Sequence, residues 1–464
     1  MENQGINQTY NCGSNCANIT TFANKYGLAE NLSSVAIHSL PDYLTYLNGS
    51  NFAYPGSPFP GDCGPPFCRV NGTNILDEIS ASGRTWRAYM EDYVGGCKFT
   101  NSDGHRSVEY DDNHNPFVYM NEAHNSTAHN STAFCANVVD ANPTATGYLA
   151  LPTTLLADLN SMTTPAANLI WLSPNNCDNG HDNNATTTFY GGPSICPLSN
   201  RVQEQNDYLK AVVPAILNST TFTTSPSLLL LTWDEGAGSA CTSTNDPSYP
   251  ETFPVCIDRV TTIFAGSDAL PRHLSNEGYS HYSFLPTIEK VWGLAPLAGQ
   301  VNAPTFDEFL SADFSVSSNP FSISILPGSN ADSTITVSSI GNFGSTITLS
   351  ASASASGITA GFNTSQVVVS AGGRSASKLT VSIPQTTSPG SYSIIVTGTN
   401  GSASGTHATT VGVTVATPSS PGPPVPPPPS LPVLLIAGGV IGAIVVLAAA
   451  SYAIRRRRYT RRNS

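Results

Sequence analysis

Charge is what this 464-residue chain has least of: only 11% of its residues are Asp, Glu, Lys or Arg, with 19 basic against 31 acidic. Six of the basic residues crowd into the last ten positions (Arg455 to Arg458, Arg461 and Arg462), which leaves 13 against 31 in the body. So acidic a body excludes binding to a nucleic-acid backbone, which needs clustered Lys and Arg. Cysteine is missing after Cys256, and no two cysteines stand in the Cys-x-x-Cys spacing that structural zinc sites favour. Aromatic residues nearly vanish between 315 and 416. A long uncharged apolar run is missing until Val433 to Ala450.

What is present fits an exported protein. All ten cysteines lie before residue 260, and an even count in one region reads as disulfides. Connectivity does not follow from sequence; neighbours such as Cys63–Cys68 and Cys241–Cys256 are the expected pairs. Eleven Asn-x-Ser/Thr sequons run from Asn7 to Asn400 and none follows residue 402. Residues 431–454 are long enough to cross a bilayer as a helix, and Arg455 to Arg458 follow at once. By the positive-inside rule the tail 455–464 is cytoplasmic and everything before the span is outside the cell membrane. Gly438 and Gly442 form a GxxxG pair, so a homodimer through the span is an expectation.

Composition divides the rest. Residues 417–430 are a Pro-rich, semi-rigid stalk. Residues 315–416 carry alternating β-branched runs, among them 321–325, 333–337, 346–349, 378–383 and 392–396, separated by Gly, Ser and Pro. Short strands at this spacing predict an antiparallel, immunoglobulin-like β-sandwich. Within residues 1–312, apolar strands at 168–172, 228–233 and 260–264 alternate with helical segments at 155–162, 204–217 and 283–292. That pattern predicts an α/β domain with a largely parallel sheet flanked by helices, its site beyond the carboxyl ends of the strands.

Four short stretches in this region carry chemistry: Met1-Glu2-Asn3, Ser39-Leu40-Pro41-Asp42-Tyr43-Leu44, Trp233-Asp234-Glu235-Gly236 and Ser280-His281-Tyr282-Ser283. They offer hard oxygen ligands, a hydroxyl at a helix opening, two carboxylates after an apolar strand, and a histidine starting a helix. With 86–92, 114–119, Ser173-Pro174-Asn175, His181-Asp182 and 213–217, they occur in the order seen in the phosphoesterase family that holds acid phosphatases and bacterial-type phospholipases C. The chain resembles that family, a branch of the alkaline phosphatase superfamily, over roughly residues 1 to 300.

The resemblance implies an alkaline-phosphatase-like fold and hydrolysis of phosphate esters. Ser39 is the implied nucleophile, working through a phosphoserine. A serine at a helix start sits where backbone N–H groups favour an anion; read from position alone, it is as well a plain N-cap. Glu2, Asn3, Asp234 and Glu235 are the implied ligands of a divalent metal ion, a hard-oxygen set. His181 and His281 are the implied proton donors or phosphate partners. Asp42, Asn175 and Asp182, with Asp178, are expected to line the substrate pocket. The family's His-Pro-Ser-x-Pro-Asn-Tyr is His38-Ser39-Leu40-Pro41-Asp42-Tyr43 after Ile37 here, so one histidine is lost and Asp42 replaces an amide. A carboxylate facing a phosphate would repel it, which an acidic working pH would relieve.

In that family the Glu-Asn pair follows an apolar first strand, whereas Met1 directly precedes Glu2; a signal peptide and that strand are therefore expected upstream. The whole reads as a membrane-anchored extracellular acid phosphatase. A phospholipase C is the enzymatic alternative, with Phe189, Tyr190 and Tyr279 as its aromatics. An inactive adhesion or envelope protein on the same scaffold is the alternative of another class.

Overall fold

Apolar runs of five to seven residues become strands where they are covered on two faces, and amphipathic segments become the helices that cover them. The computed structural model describes residues 1–36, 38–50, 62, 69–98, 107–123, 131–188, 191–236, 259–300, 302–401 and 405–417. Eight strands build the α/β part: β1 (Gly27–Ser33), β2 (Trp86–Met90), β3 (Val138–Asp140), β4 (Leu169–Ser173), β5 (Leu229–Thr232), β6 (Arg259–Ala265), β7 (Leu274–Ser275) and β8 (Tyr279–Ser280). One sheet runs β3-β2-β4 and is wholly parallel. The other runs β5-β6-β1-β7, with β8 also on β1. There β6 is antiparallel to both β1 and β5, while β7 and β8 are parallel to β1. The expected largely parallel sheet is thus corrected to a parallel sheet beside a mixed one. An apolar run reports burial and not strand direction, so sequence could not separate the two.

Strands β4 and β5 are edges among the described residues, and Ile170, Trp171, Leu172, Leu229, Leu230 and Leu231 are only half buried. The strands and helices between them enclose two buried cores. Leu44, Leu47, Phe117 and Tyr119 pack with Trp86 in one core, and Leu28, Phe264, Tyr208 and Trp233 in another. Each such side chain contributes about 1.5–3 kcal/mol.

From residue 313 the chain is almost all strand: β9 (Asp313–Asn319), β10 (Ser322–Ile325), β11 (Asn330–Ile340), β12 (Ser345–Ala353), β13 (Thr359–Phe362), β14 (Gln366–Val369), β15 (Arg374–Ser382), β16 (Gly390–Thr399) and β17 (Thr406–Val415). They form two sheets, β10-β17-β16-β12-β14 and β13-β15-β11-β9, over a core that includes Phe314, Ile335, Val337, Leu379, Ile394 and Val411. The pairing is antiparallel except that β10 runs parallel to β17, which corrects the wholly antiparallel expectation. Residues Met1–Ala416 form one compact unit. At its joint, Gly293 caps the helix Phe284–Trp292 in a left-handed conformation (φ 64°). A Cβ there would meet Val316 O of β9 at 2.5 Å.

Three disulfides lie among the described residues: Cys12–Cys16, Cys97–Cys135 and Cys177–Cys196. The expected pairs Cys63–Cys68 and Cys241–Cys256 lie outside those residues, as do the span 431–454, the tail 455–464 and all of the stalk but Thr417. Among the described residues no helix is long and apolar enough to cross a membrane.

Candidate active site

The first residues of the chain run alongside the end of β5. Met1 N donates to Thr232 O (3.1 Å) and Asp234 N donates to Met1 O (3.0 Å). Asn3 then adopts a left-handed backbone (φ 53°), a conformation Asn tolerates better than most residues, and its N–H donates to Asp234 Oδ1 (3.1 Å). Gln205, on the helix Arg201–Leu217, locks this corner: its Nε2 donates to Glu2 O (2.9 Å) and Asn179 O (2.6 Å), and its Oε1 accepts from Trp233 Nε1 (3.1 Å). Gly180 (φ 81°) permits that close approach, since a Cβ would lie 2.3 Å from Gln205 Nε2. Glu2 is thereby wholly buried.

Ser39 comes to Glu2 from the other side. His38 is the N-cap of the helix Ser39–Asn48, so Ser39 is its first residue and is not the cap. Its Oγ instead donates to Glu2 Oε2 (3.1 Å). Tyr43, one turn on, donates to Glu2 Oε1; burial, then the charges of Glu2 and Asp234, push its phenol well above the usual range and keep it protonated. Leu40 N, which would face an anion at this helix start, donates to Asp62 Oδ1 (3.0 Å).

Asp234 and Glu235 complete the acidic cluster. Burial, then the charge of Glu2 and a hydrogen bond with it, push Asp234 up to about 8. Burial, then Asp234, Asp42 and Glu2, push Glu235 up to about 11. Asp234 Oδ2 is buried without a hydrogen-bond partner. Among the described residues no Lys or Arg pairs with Glu2, Asp42, Asp234 or Glu235. Hard oxygen donors and an orphaned buried carboxylate oxygen are the chemistry that a divalent cation takes on Glu2, Asp234, Glu235 and Ser39 Oγ, although these three carboxylates are not among the groups of described residues whose ligand atoms all lie within 4.8 Å of one another. Asn3 reaches this group through its backbone N–H.

Two other sequence candidates serve each other. Asp42 is wholly buried: its Oδ1 accepts from Val35 N (2.9 Å) and Ala36 N (3.1 Å) and lies 2.8 Å from His281 Nδ1. His281 Nε2 donates to Trp233 O (3.1 Å). Burial holds His281 down at about 4 and raises Asp42 well above the carboxylate range, so the pair shares one proton. Both ring nitrogens are engaged, and the pair ties the Ser39 helix to the Trp233–Asp234 turn. Asn175 is likewise turned inward: its Oδ1 accepts from Cys177 N and Asp178 N (both 3.1 Å), and its Nδ2 donates to Gly147 O (3.0 Å). Asp178 accepts from Leu149 N (2.8 Å) in the same buried turn.

His181 and Asp182 do face the cluster. His181 Nδ1 lies 2.8 Å from Asp182 Oδ1. Burial pulls this histidine down, but Asp182, Glu2 and Asp111 outweigh it and bring it to about 9. Beside it stands His114, which sequence reasoning left unassigned although its segment matched the family. Its ring centroid is 5.2 Å from that of His181, and its Nε2 is 3.3 Å from Glu2 Oε2. Burial holds His114 below its ordinary value and hence neutral. Asp111 joins the same group; no sequence pattern marked it.

Tyr279, offered as a pocket aromatic, instead packs on Phe306 with its hydroxyl on Glu308 (2.6 Å). Phe189 and Tyr190 lie outside the described residues.

No curated protein matches the chain. Among solved structures, a family 123 glycoside hydrolase from Clostridium perfringens matches at 12% identity, over 24% of this chain and 28% of that one, with a TM-score of 0.20. A FixG-related protein from Vibrio parahaemolyticus matches at 11% identity over 23% and 97%, TM-score 0.18. The E. coli chaperone DraB matches at 13% identity over 23% and 56%, TM-score 0.18. Likenesses this slight carry no argument. The Phosphoesterase family model matches residues 10–295, which hold Ser39, His114, His181, Asp234, Glu235 and His281, and the chain belongs to that family of phosphoric ester hydrolases.

Proposed function

We propose that the chain is a metal-dependent phosphomonoesterase of acid phosphatase type, working through a phosphoserine on Ser39. The observation that carries this is the 3.1 Å hydrogen bond from Ser39 Oγ to Glu2 Oε2, made inside a buried carboxylate group that no Lys or Arg among the described residues balances. A divalent ion on Glu2, Asp234, Glu235 and Ser39 Oγ would polarise the phosphoryl group and lower the serine pKa.

Ser39 passes its hydroxyl proton to Glu2 as Oγ attacks phosphorus. The bond from phosphorus to the leaving oxygen breaks, and the alcohol departs with the proton of His181, whose ring Asp182 orients. Water then attacks phosphorus and gives a proton to His181, the bond from phosphorus to Ser39 Oγ breaks, Ser39 takes its proton back from Glu2, and inorganic phosphate leaves. The incoming phosphate would displace Asp62 from Leu40 N. An acidic optimum is supported by the charge balance. Below about pH 6 a monoester is a monoanion, which so acidic a site accepts more readily, and His181 keeps its proton throughout that range. Turnover of p-nitrophenyl phosphate that rises as pH falls through about 6, and that chelator abolishes, is the expected result; a metal-independent profile rising towards alkaline pH would sink it.

We further place the enzyme outside a cell membrane. The uncharged run Val433 to Ala450 followed by four arginines supports this, as do the three disulfides. Chain produced in cells should sediment with membranes and be released by proteolysis within 417–430; recovery in the soluble fraction without cleavage counts against it.

A further inference from the structure

Glu109 is wholly buried and takes no part in the steps above. Asn176 ties it to the loop that carries His181 and Asp182: Asn176 N donates to Glu109 O (2.8 Å), and Asn176 O accepts from Asp182 N (2.9 Å). The Glu109 side chain is satisfied on one oxygen only. Its Oε1 accepts from Ser194 Oγ (3.0 Å) and Ile195 N (2.7 Å). The neighbour of Oε2, at 3.4 Å, is Cys196 Sγ, which the disulfide to Cys177 leaves without an S–H to donate.

Asp182 has the same asymmetry. Its Oδ1 meets His181 Nδ1 (2.8 Å), while its Oδ2 is buried and finds no donor among the described residues. The two carboxyls stand within hydrogen-bonding reach of each other. Carboxylate oxygens only accept, so the facing pair is orphaned until one member carries a proton. Burial raises Glu109 above the usual carboxyl range; the bonds from Ile195 and Ser194 oppose this, and the charge of Asp182 adds to it. The other charged groups facing the pair are Glu204 and Arg201 of the helix Arg201–Leu217, and His181 on the far side of Asp182.

We infer that Glu109 is a positioning residue: its protonated carboxyl donates to Asp182 Oδ2 and so fixes Asp182 Oδ1 on His181. One proton then satisfies both orphaned oxygens, and Asp182 is held from two sides. The inference rests on the phosphoesterase reading and deepens it, because His181 is there the donor to the leaving oxygen and its aim depends on Asp182.

The test compares Glu109→Gln with Glu109→Ala in the full chain. The amide is isosteric: its Oε1 still accepts from Ser194 and Ile195, and its Nε2 donates to Asp182. With p-nitrophenyl phosphate, Glu109→Ala should lose about 10²-fold in kcat with little change in KM. Glu109→Gln should keep most of kcat and hold it to higher pH than the parent, since an amide has no proton to lose. Equal losses in the two variants, or a parental kcat in Glu109→Ala, would overturn the inference. Hydrogen exchange at the His181 ring, followed by mass spectrometry, asks the same without turnover. His181, brought to about 9 in the parent, should titrate lower in Glu109→Ala and near its parental value in Glu109→Gln. No shift in Glu109→Ala, or the same shift in both, would also overturn it. The expected His181 pattern in a chain that hydrolyses no phosphate ester would uphold the contact and sink the phosphatase.

Discussion

Ser39 stands one residue inside its helix, and that register decides what its hydroxyl does. At the cap it would bond back to the helix; at the first turn it reaches Glu2. Ser39→Ala should therefore leave the melting temperature nearly unchanged while turnover of p-nitrophenyl phosphate falls by about 10³-fold or more. Equal loss of stability and activity would mean that the hydroxyl is structural. Asp42 illustrates the opposite case. Replacing it by Ala leaves His281 Nδ1 and the Val35 and Ala36 N–H groups buried without their partner and should cost about 1–3 kcal/mol in urea unfolding, with activity lost through the fold. A stable Asp42→Ala protein with altered KM would place Asp42 in the substrate pocket after all. Sequence supplied Ser39, Glu2, Asp234 and His181 because each stands in a motif with its own chemistry. It could not supply the partnership of Asp42 with His281, 239 positions apart, because no local pattern encodes which buried acid meets which buried base. His114 sat in a matched segment yet carried no chemical signature until Glu2 was beside it.

Among the elements, the loop from Asn175 to Asp182 has the most to hold and the least secondary structure. It presents the Asn179 carbonyl to Glu2 N (2.9 Å) and His181 to the acidic cluster, and the Cys177–Cys196 disulfide ties it to the chain 19 residues on. Removing that disulfide as the double Ser variant should cost about 2–4 kcal/mol and lower kcat more than a disulfide remote from the site, such as Cys97–Cys135, would. Equal effects from the two would show that the loop is positioned without it. Gly293 governs the joint with the sandwich. Gly293→Ala adds a Cβ at positive φ against β9 and should destabilise by at least about 1 kcal/mol in thermal melts; a neutral result would mean that the joint is loose. Periodicity located β4, β5 and β6 and the helices that follow or precede them, because burial on one or two faces leaves a repeat in the sequence. It left strand direction open, so a largely parallel sheet was expected where β6 runs antiparallel to both its neighbours. Nine sandwich strands emerge where five runs stood out, since β9, β13 and β17 carry many small or polar residues and β14 is only four residues long.

Across the whole molecule, buried acids among the described residues outnumber their Lys and Arg partners. Asp234 is raised to about 8 by burial and by Glu2, and Glu235 to about 11 by burial and by Asp234. Glu91 and Asp178, away from the site, are raised by burial first and then by neighbouring carboxylates. An acid whose folded pKa lies above its unfolded value stabilises the fold at low pH and loses that contribution as pH rises. Metal-stripped protein should accordingly melt higher near pH 5 than near pH 8, and a divalent cation should restore most of the difference by replacing protons at the site. A melting temperature that climbs with pH in the stripped protein would show that these acids find counter-charges elsewhere.

The most direct test of the central claim is hydrolysis of p-nitrophenyl phosphate beside p-nitrophenyl phosphorylcholine, from acid to neutral pH, with and without chelator, in the parent chain and in Ser39→Ala. The account predicts turnover of the monoester that exceeds that of the diester, needs a divalent metal and disappears with Ser39. Turnover that survives either chelator or Ser39→Ala, or a folded, metal-loaded chain that hydrolyses neither ester, would contradict it.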